Sequence, residues 1–321
     1  MILVVGLSPT VQRTLRFAQS PVLGQVNRAA ETFVTASGKS VNVARVVTRL
    51  GGAARLVHVL GGESGRWVAR ALADDENVST ETIWANDDAP TRTCATLLAS
   101  DGGPTTELVE EARPISAEHV AAVFDAARAH LLGGAVCALC LSGSFPAGVP
   151  EDFYATLVQA AREPNVPVLV DAQRGPLKAA LATRPFLVKP NREEAAATLG
   201  FSLSGEAQQD AETAVAALTD AGAAWALVSM GASGSLLGEA ATGGRWRITP
   251  PRVDAKNPIG SGDSLAAGLL FAHFRRGESV PDAAVYGTAC AAANCLTWTS
   301  GVVHPEDVAA LLPQVTIARL A

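Results

Sequence analysis

Short apolar runs recur along the chain: Ile2 to Val5, Leu56 to Leu60, Val136 to Leu141, Val166 to Val170, Phe186 to Val188 and Ala226 to Ser229. Alanine-rich helical stretches such as Pro150 to Arg162 and Glu206 to Ala221 separate them. Unbroken apolar runs suit strands covered on both faces, so this rhythm predicts parallel βαβ units. In such sheets ligands gather outside the carboxyl ends of the strands, which directs attention to the loops that follow them. Residues 10–36 and 91–110 break the rhythm. They are rich in Thr, Val and Arg with partial alternation, and each holds a turn signal, Pro21 to Gly24 in one and Asp101-Gly102-Gly103-Pro104 in the other. The pattern predicts antiparallel strands in a small sheet that projects from the main layer. With no fixed-period repeat and no low-complexity linker, one domain over residues 1–321 carrying a lid is favoured over two separate domains.

Composition narrows the function. A chain that is 48% hydrophobic and 17% charged can bury a large core, which excludes a disordered or fibrous protein. With 31 acidic against 25 basic residues the net charge is −6, so no basic field is available to hold a nucleic acid. The opening Met1 to Pro9 lacks a basic leader, and no stretch of 18 apolar residues follows, so a cytoplasmic protein without a membrane partner is expected. The cysteines number five at unpatterned spacings, which favours reduced thiols over disulfides or structural zinc. Cys137 and Cys140 form a C-x-x-C, but inside a strand-like run whose i and i+3 side chains point to opposite faces.

The segment richest in chemistry is Asn257-Pro258-Ile259-Gly260-Ser261-Gly262-Asp263-Ser264-Leu265-Ala266-Ala267-Gly268-Leu269-Leu270. Glycines before a helix let backbone N–H groups converge on an anion, and the helix dipole adds favourable potential there. Asp263 stands at the same helix start. An ordinary N-cap would explain the aspartate, but it does not require Gly260, Ser261 and Gly262 as well. Nearer the amino end, Ser37-Gly38-Lys39-Ser40-Val41-Asn42-Val43-Ala44-Arg45 places one of only four lysines between small residues at a helix start. It is not a P-loop, because Phe33 stands where that motif needs glycine.

These two segments resemble the signatures of the ribokinase-like, or PfkB, family of carbohydrate kinases. The likeness is strongest to the 1-phosphofructokinase and tagatose-6-phosphate kinase branch, and the matched motifs run in family order from Leu7 to Thr297. The resemblance implies a three-layer α/β/α fold with a mostly parallel central sheet and a β-sheet lid. It also implies an enzyme that uses ATP and Mg2+ to phosphorylate a sugar phosphate. By that resemblance Gly260, Ser261 and Gly262 form the anion hole and Asp263 takes the proton from the acceptor hydroxyl. Lys39, beside Gly38, contacts substrate, and Asn42 hydrogen-bonds sugar hydroxyls; a buried structural asparagine is the competing reading.

Lys189-Pro190-Asn191-Arg192-Glu193-Glu194 looks like the family's Lys-Pro-Asn-x-x-Glu, which implies that Asn191 and Glu194 organise magnesium around the nucleotide. Taken alone, the same pair reads as a near capping box. Ser229-Met230-Gly231-Ala232-Ser233-Gly234 is similar to the turn that approaches ATP, and also reads as a hairpin returning through Ser235-Leu236-Leu237. Gly287 to Thr297, with Asn294, aligns with a small-residue helix beside adenine, and helix packing explains it equally well. Arg92 on a lid strand offers a guanidinium fork to a sugar phosphate, against the plainer reading of a solvated edge charge. Ser142 and Gly143, in Ser-Gly-Ser-Phe-Pro-Ala-Gly, resemble a strand-end loop that lies against the sugar.

Departures from the pattern bear on the substrate. Gln12 replaces an acid that in relatives accepts bonds from sugar hydroxyls, and Ser37 and Ser40 replace glycines. Asn257 stands where an aspartate often serves a monovalent-cation loop, which counts against potassium activation. The expected reaction is phosphorylation of fructose 1-phosphate or tagatose 6-phosphate by a homodimer paired through its lid. A kinase of an unphosphorylated sugar or nucleoside is the first alternative, and a non-catalytic sugar-phosphate sensor the second.

Overall fold

All five residues of the strand Ile2–Gly6 are buried, because it runs through the middle of a sheet that helices cover on both sides. A computed structural model describes residues 1–76 and 78–320. Its strands are β1 (Ile2–Gly6), β2 (Thr10–Phe17), β3 (Glu31–Ser37), β4 (Ala54–Leu60), β5 (Ser79–Trp84), β6 (Thr93–Ala99), β7 (Thr106–Val109), β8 (Ala138–Ser142), β9 (Val168–Asp171), β10 (Leu187–Val188), β11 (Trp225–Ser229), β12 (Ser235–Glu239), β13 (Arg245–Thr249) and β14 (Thr316–Leu320). The helices are α1 (Lys39–Arg49), α2 (Gly62–Glu76), α3 (Ala117–Leu132), α4 (Phe153–Ala160), α5 (Arg174–Leu181), α6 (Arg192–Leu199), α7 (Ala207–Asp220), α8 (Ser261–Arg276), α9 (Val280–Cys295) and α10 (Pro305–Leu311).

Among the described residues the main sheet has ten strands in the order β14-β13-β12-β11-β10-β9-β8-β1-β4-β5. From β5 to β11 every pairing is parallel, as the apolar runs predict, while β12, β13 and β14 add an antiparallel edge. The alternation of side chains along a strand divides the core in two. Ile2 and Val4 face a cluster built with α1, α2, α8, α9 and α10, whereas Leu3 and Val5 face one built with α3 to α7. The result is the three-layer α/β/α arrangement, in which each fully buried Leu, Ile or Val contributes about 1.5–3 kcal/mol.

The small residues of α9 serve packing. A Cβ on Gly287 would lie 2.5 Å from the backbone oxygen of Leu265, so only glycine lets α9 approach α8 this closely. Cys137 just precedes β8, and Cys140, inside it, is fully buried. Burial, with the nearby Asp171 charge, pushes the Cys140 thiol well above its usual range, which makes it an inert core residue. No described helix is long and apolar enough to cross a membrane.

The second sheet has the order β3-β2-β6-β7. Its two hairpin pairs are antiparallel as expected, but β2 and β6 run parallel, Gln12 opposite Cys94. The wholly antiparallel expectation is therefore corrected: each excursion folds back on itself locally, and the two excursions then join side by side in the same direction. One face of this lid, carrying Gln12, Cys94 and Val109, looks towards the carboxyl ends of the main strands.

Candidate active site

The carboxyl ends of β9, β10 and β11, the starts of α1 and α8, and the inner face of the lid enclose a cavity of about 540 Å³. At its floor Gly260 adopts φ 84°, a left-handed conformation that favours glycine, and a Cβ there would lie 2.6 Å from the backbone nitrogen of Gly301. The chain then enters α8; the Ser261 N–H donates back to the Pro258 carbonyl at 3.2 Å, while Gly262 and Asp263 occupy the first turn, where backbone N–H groups lack helical partners. That end of the helix favours an anion.

Asp263 is buried, and its Oδ2 accepts a 2.7 Å hydrogen bond from Asn42 Nδ2. Burial, reinforced by the charge of Asp171, pushes its carboxyl up to about 6, while Lys39, the Asn42 bond and Lys189 pull the other way. A carboxylate tuned to this range holds and releases a proton near neutral pH.

Lys39 opens α1 and sends its Nζ to Asp171 Oδ1 at 3.2 Å and Glu194 Oε1 at 2.9 Å. Desolvation opposes its charge, but Asp171, Glu194 and Asp263 outweigh it and hold the ammonium protonated well above its ordinary range. Lys189 lies 3.0 Å from the other oxygen of Asp171, so this carboxylate sits between two ammonium groups. Its own burial works against the charge, yet Lys189 and Lys39 keep it below the usual carboxylate range.

Asn191 and Glu194 form the reciprocal capping box of α6: Asn191 Oδ1 accepts from the Glu194 N–H at 2.7 Å, and Glu194 Oε2 from the Asn191 N–H at 2.9 Å. Both also line the cavity. Among the described residues no three His, Cys, Asp or Glu side chains form a ready cage for a metal ion. The oxygen-bearing side chains of Asn191 and Glu194 at the cavity instead fit magnesium, which is commonly held by one or two carboxylates together with substrate phosphates and water.

From the lid, Arg92 reaches into the cavity wall. Its Nη2 donates to the Ser8 carbonyl and its Nη1 to that of Glu110, each at 3.2 Å, and no carboxylate pairs with it among the described residues. Gln12 lines the same wall and donates its amide to Thr96 Oγ1 at 2.9 Å. Gly38, Ser229 and Gly231 complete the lining. Ser229 and Gly231 lie at the β11–β12 connection, so this turn is both a hairpin and a wall of the cavity.

Four expected site residues stand back from that lining. Ser142 is buried at the end of β8, and Gly143 lies behind Lys39, a Cβ there reaching to 3.9 Å from Lys39 Cβ. Gly234 sits within the hairpin turn. Asn294, expected beside the nucleotide, is fully buried: it donates to the Ile259 carbonyl at 2.9 Å and accepts from the Gly301 N–H at 2.8 Å. It ties the turn before α8 in place. Asn257 likewise spends both ends of its amide locally, on the Trp298 carbonyl and the Ile259 N–H. Of the serines that replace glycines, Ser40 fits because Gly6 has no side chain; a Cβ there would come within 2.3 Å of Ser40 Cβ.

Of two residues central to the charge network, Asp171 is not singled out from sequence, and Lys189 enters there only as the first residue of the Lys-Pro-Asn motif, without a role. A signal existed for each. Asp171 ends an otherwise apolar strand, the position from which ligands are reached in parallel sheets, and Lys189 follows directly on β10.

Comparison with known proteins agrees with this fold. The model of the pfkB family of carbohydrate kinases matches residues 2–303. Phosphofructokinase-2 from Escherichia coli, solved in complex with fructose-6-phosphate, superposes with a TM-score of 0.83 at 24% identity over 98% of both chains. A Thermotoga maritima structure described as a "possible 1-phosphofructokinase" gives 0.87 at 22% identity, covering 100% of this chain and 99% of that one. A carbohydrate kinase from Agrobacterium tumefaciens gives 0.71 at 24% identity over 99% of each chain. With nearly its whole length matched, the chain belongs to the pfkB family of carbohydrate kinases and is a phosphotransferase acting on a sugar or sugar phosphate.

Proposed function

We propose that this kinase transfers the terminal phosphoryl group of ATP to a hydroxyl of a ketohexose phosphate, fructose 1-phosphate in preference to tagatose 6-phosphate. One observation carries the reading: the buried carboxyl of Asp263 and the guanidinium of Arg92, which lacks an acidic partner among the described residues, border a single cavity. The first supplies a base, and the second an attachment point for an anionic substrate.

Phosphoryl transfer depends on alignment and charge stabilisation more than on covalent chemistry. The Gly260 to Gly262 turn receives the moving charge at the start of α8, with the Gly262 N–H, which has no helical partner, as its donor, and Lys39 contributes its ammonium beside it. Asp263 orients the acceptor hydroxyl and takes its proton. Magnesium would be held by Glu194 with Asn191 and would neutralise charge on the nucleotide phosphates. Ser229 and Gly231 border the nucleotide side of the cavity, while Gln12 and Arg92 border the sugar side. The lid excludes water, which limits wasteful hydrolysis of ATP.

The reading is tested by following ADP release over a panel of phosphorylated and free ketoses. Phosphorylated ketohexoses should be the better acceptors. Arg92→Ala should raise KM for them by roughly 10- to 100-fold, the share of a charge-assisted hydrogen bond, with a much smaller change for free sugars. An equal effect on both classes would transfer the assignment to kinases of unphosphorylated sugars.

The lid also supports a proposal about assembly. Val34 and Leu108 share the face turned away from the cavity and are 42% and 56% exposed, and Leu23 in the β2–β3 connection is 99% exposed. Covering them with a second lid would produce a homodimer. Sedimentation should give a dimer mass for the wild type and a monomer mass for Leu108→Asp; a monomeric wild type at micromolar concentration would reject the pairing.

A further inference from the structure

The inner end of Asp263 is held by a chain of hydrogen bonds that begins far from it in sequence. Ser300 Oγ lies 3.0 Å from Ser37 Oγ, and Ser37 Oγ donates to Asn42 Oδ1 at 3.0 Å. Asn42 Nδ2 then donates to Asp263 Oδ2 at 2.7 Å. Ser37 has one proton and gives it to Asn42, so the proton between the two serines belongs to Ser300. All the bonds therefore run in one direction, towards the carboxylate. Ser37 and Asn42 are each 3% exposed and Ser300 1%, so the links are largely shielded from bulk water.

Orientation of the Asn42 amide is the critical point. Its nitrogen end donates and its oxygen end accepts, and a carboxylate only accepts. Turned around, the amide would set Oδ1 against Asp263 Oδ2, oxygen against oxygen. Two donors prevent this by occupying Oδ1: Ser37 at 3.0 Å and, from the same helix, Arg45 Nη1 at 3.3 Å. Only glycine fits at position 301 behind the amide, since a Cβ there would lie 2.5 Å from Asn42 Oδ1. Asp263 Oδ1 makes no hydrogen bond within the described residues, so the chain restrains one oxygen and leaves the other for chemistry.

We propose that Ser37 is a positioning residue for phosphoryl transfer, fixing the Asn42 amide so that Asn42 grips one oxygen of Asp263 and presents the other to the acceptor hydroxyl. This rests on Asp263 being the base. Directional chains polarise each link and strengthen the last, and a donor on Oδ2 favours the ionised carboxylate. Removing the Ser37 hydroxyl weakens that donor, so the carboxylate should ionise at higher pH.

The experiment measures kcat/KM against pH for the wild type, Ser37→Ala, Ser37→Gly and Ser37→Thr, with Asp263→Asn as the reference. The acid limb of Ser37→Ala should move upward by about 0.5 pH unit, the equivalent of part of one hydrogen bond, and kcat should fall more than KM rises. Ser37→Thr, which keeps a hydroxyl, should return the limb towards the wild-type position. Where Ser37→Ala does not fold, Ser37→Gly provides the same reading. Acid limbs that coincide in the wild type and the hydroxyl-free variants, with Asp263→Asn inactive, overturn the positioning role and leave the base assignment standing. An active Asp263→Asn overturns both.

Discussion

Replacing Asp263 by Asn is expected to lower turnover by roughly 10²- to 10⁴-fold, the usual share of a general base, and to leave nucleotide affinity nearly unchanged. The same substitution raises stability at neutral pH. The carboxyl is pushed from 3.8 to about 6 in the folded protein, so between those values the folded state binds more protons than the unfolded state. Stability therefore falls as pH rises through this window, and the full cost, about 3 kcal/mol, is present above pH 6. Asparagine keeps the shape and removes the charge, so its melting temperature should exceed that of the wild type at pH 7.5 and match it near pH 3. For the wild type, kcat/KM should drop tenfold per pH unit below about pH 6. Turnover within a factor of ten of wild type in Asp263→Asn would remove this residue from the chemistry.

Asp171→Ala is expected to destabilise the fold by about 3–5 kcal/mol, because it strands charge where water cannot reach. Lys189 is 3% exposed and its ion-pair partner is Asp171; Lys39 would retain Glu194 alone of its two ion pairs. Urea denaturation provides the measurement. A second variant separates charge from shape: Asp171→Leu combined with Lys189→Met removes both members of the buried pair and should recover much of the loss. A loss below about 1 kcal/mol in Asp171→Ala would mean that the two lysines find other partners.

Much of this architecture is legible in the order of residues. Strands β1, β8 and β9 are covered on both faces, so their sequences are apolar throughout and announce a parallel sheet. Strands β13 and β14 were not legible. Arg-Trp-Arg-Ile-Thr and Thr-Ile-Ala-Arg-Leu lie next to and at the sheet edge, where one side stays wet, and they pair although 66 residues separate Thr249 from Thr316. The parallel union of β2 and β6 was hidden for a similar reason, since alternation marks a strand without naming its neighbour.

The site divides in the same way. Gly260 and Asp263 are readable because the turn and the helix that follows are local, with the glycine serving backbone geometry and the acid three residues on. The grip of Asp171 on Lys39 joins positions 132 residues apart, and no local pattern encodes such a partner. Asn42 and Asn294 show the limit from another side. Each occupies a motif position associated with ligands, yet Asn42 holds the Asp263 carboxylate and Asn294 the turn that precedes it. Amide side chains serve protein and ligand equally well, so residue type alone does not separate the two uses.

The bond between Asn42 and Asp263 closes a span of 221 residues. During synthesis on the ribosome, the anion turn and its acid emerge only in the final fifth of the chain, after the lid and all but one strand of the main sheet. In the proposed mechanism a nascent polypeptide therefore lacks the groups that would activate a hydroxyl, and products ending before residue 260 should be inert. On that mechanism, a half-made copy should have no interval in which to spend the nucleotide pool.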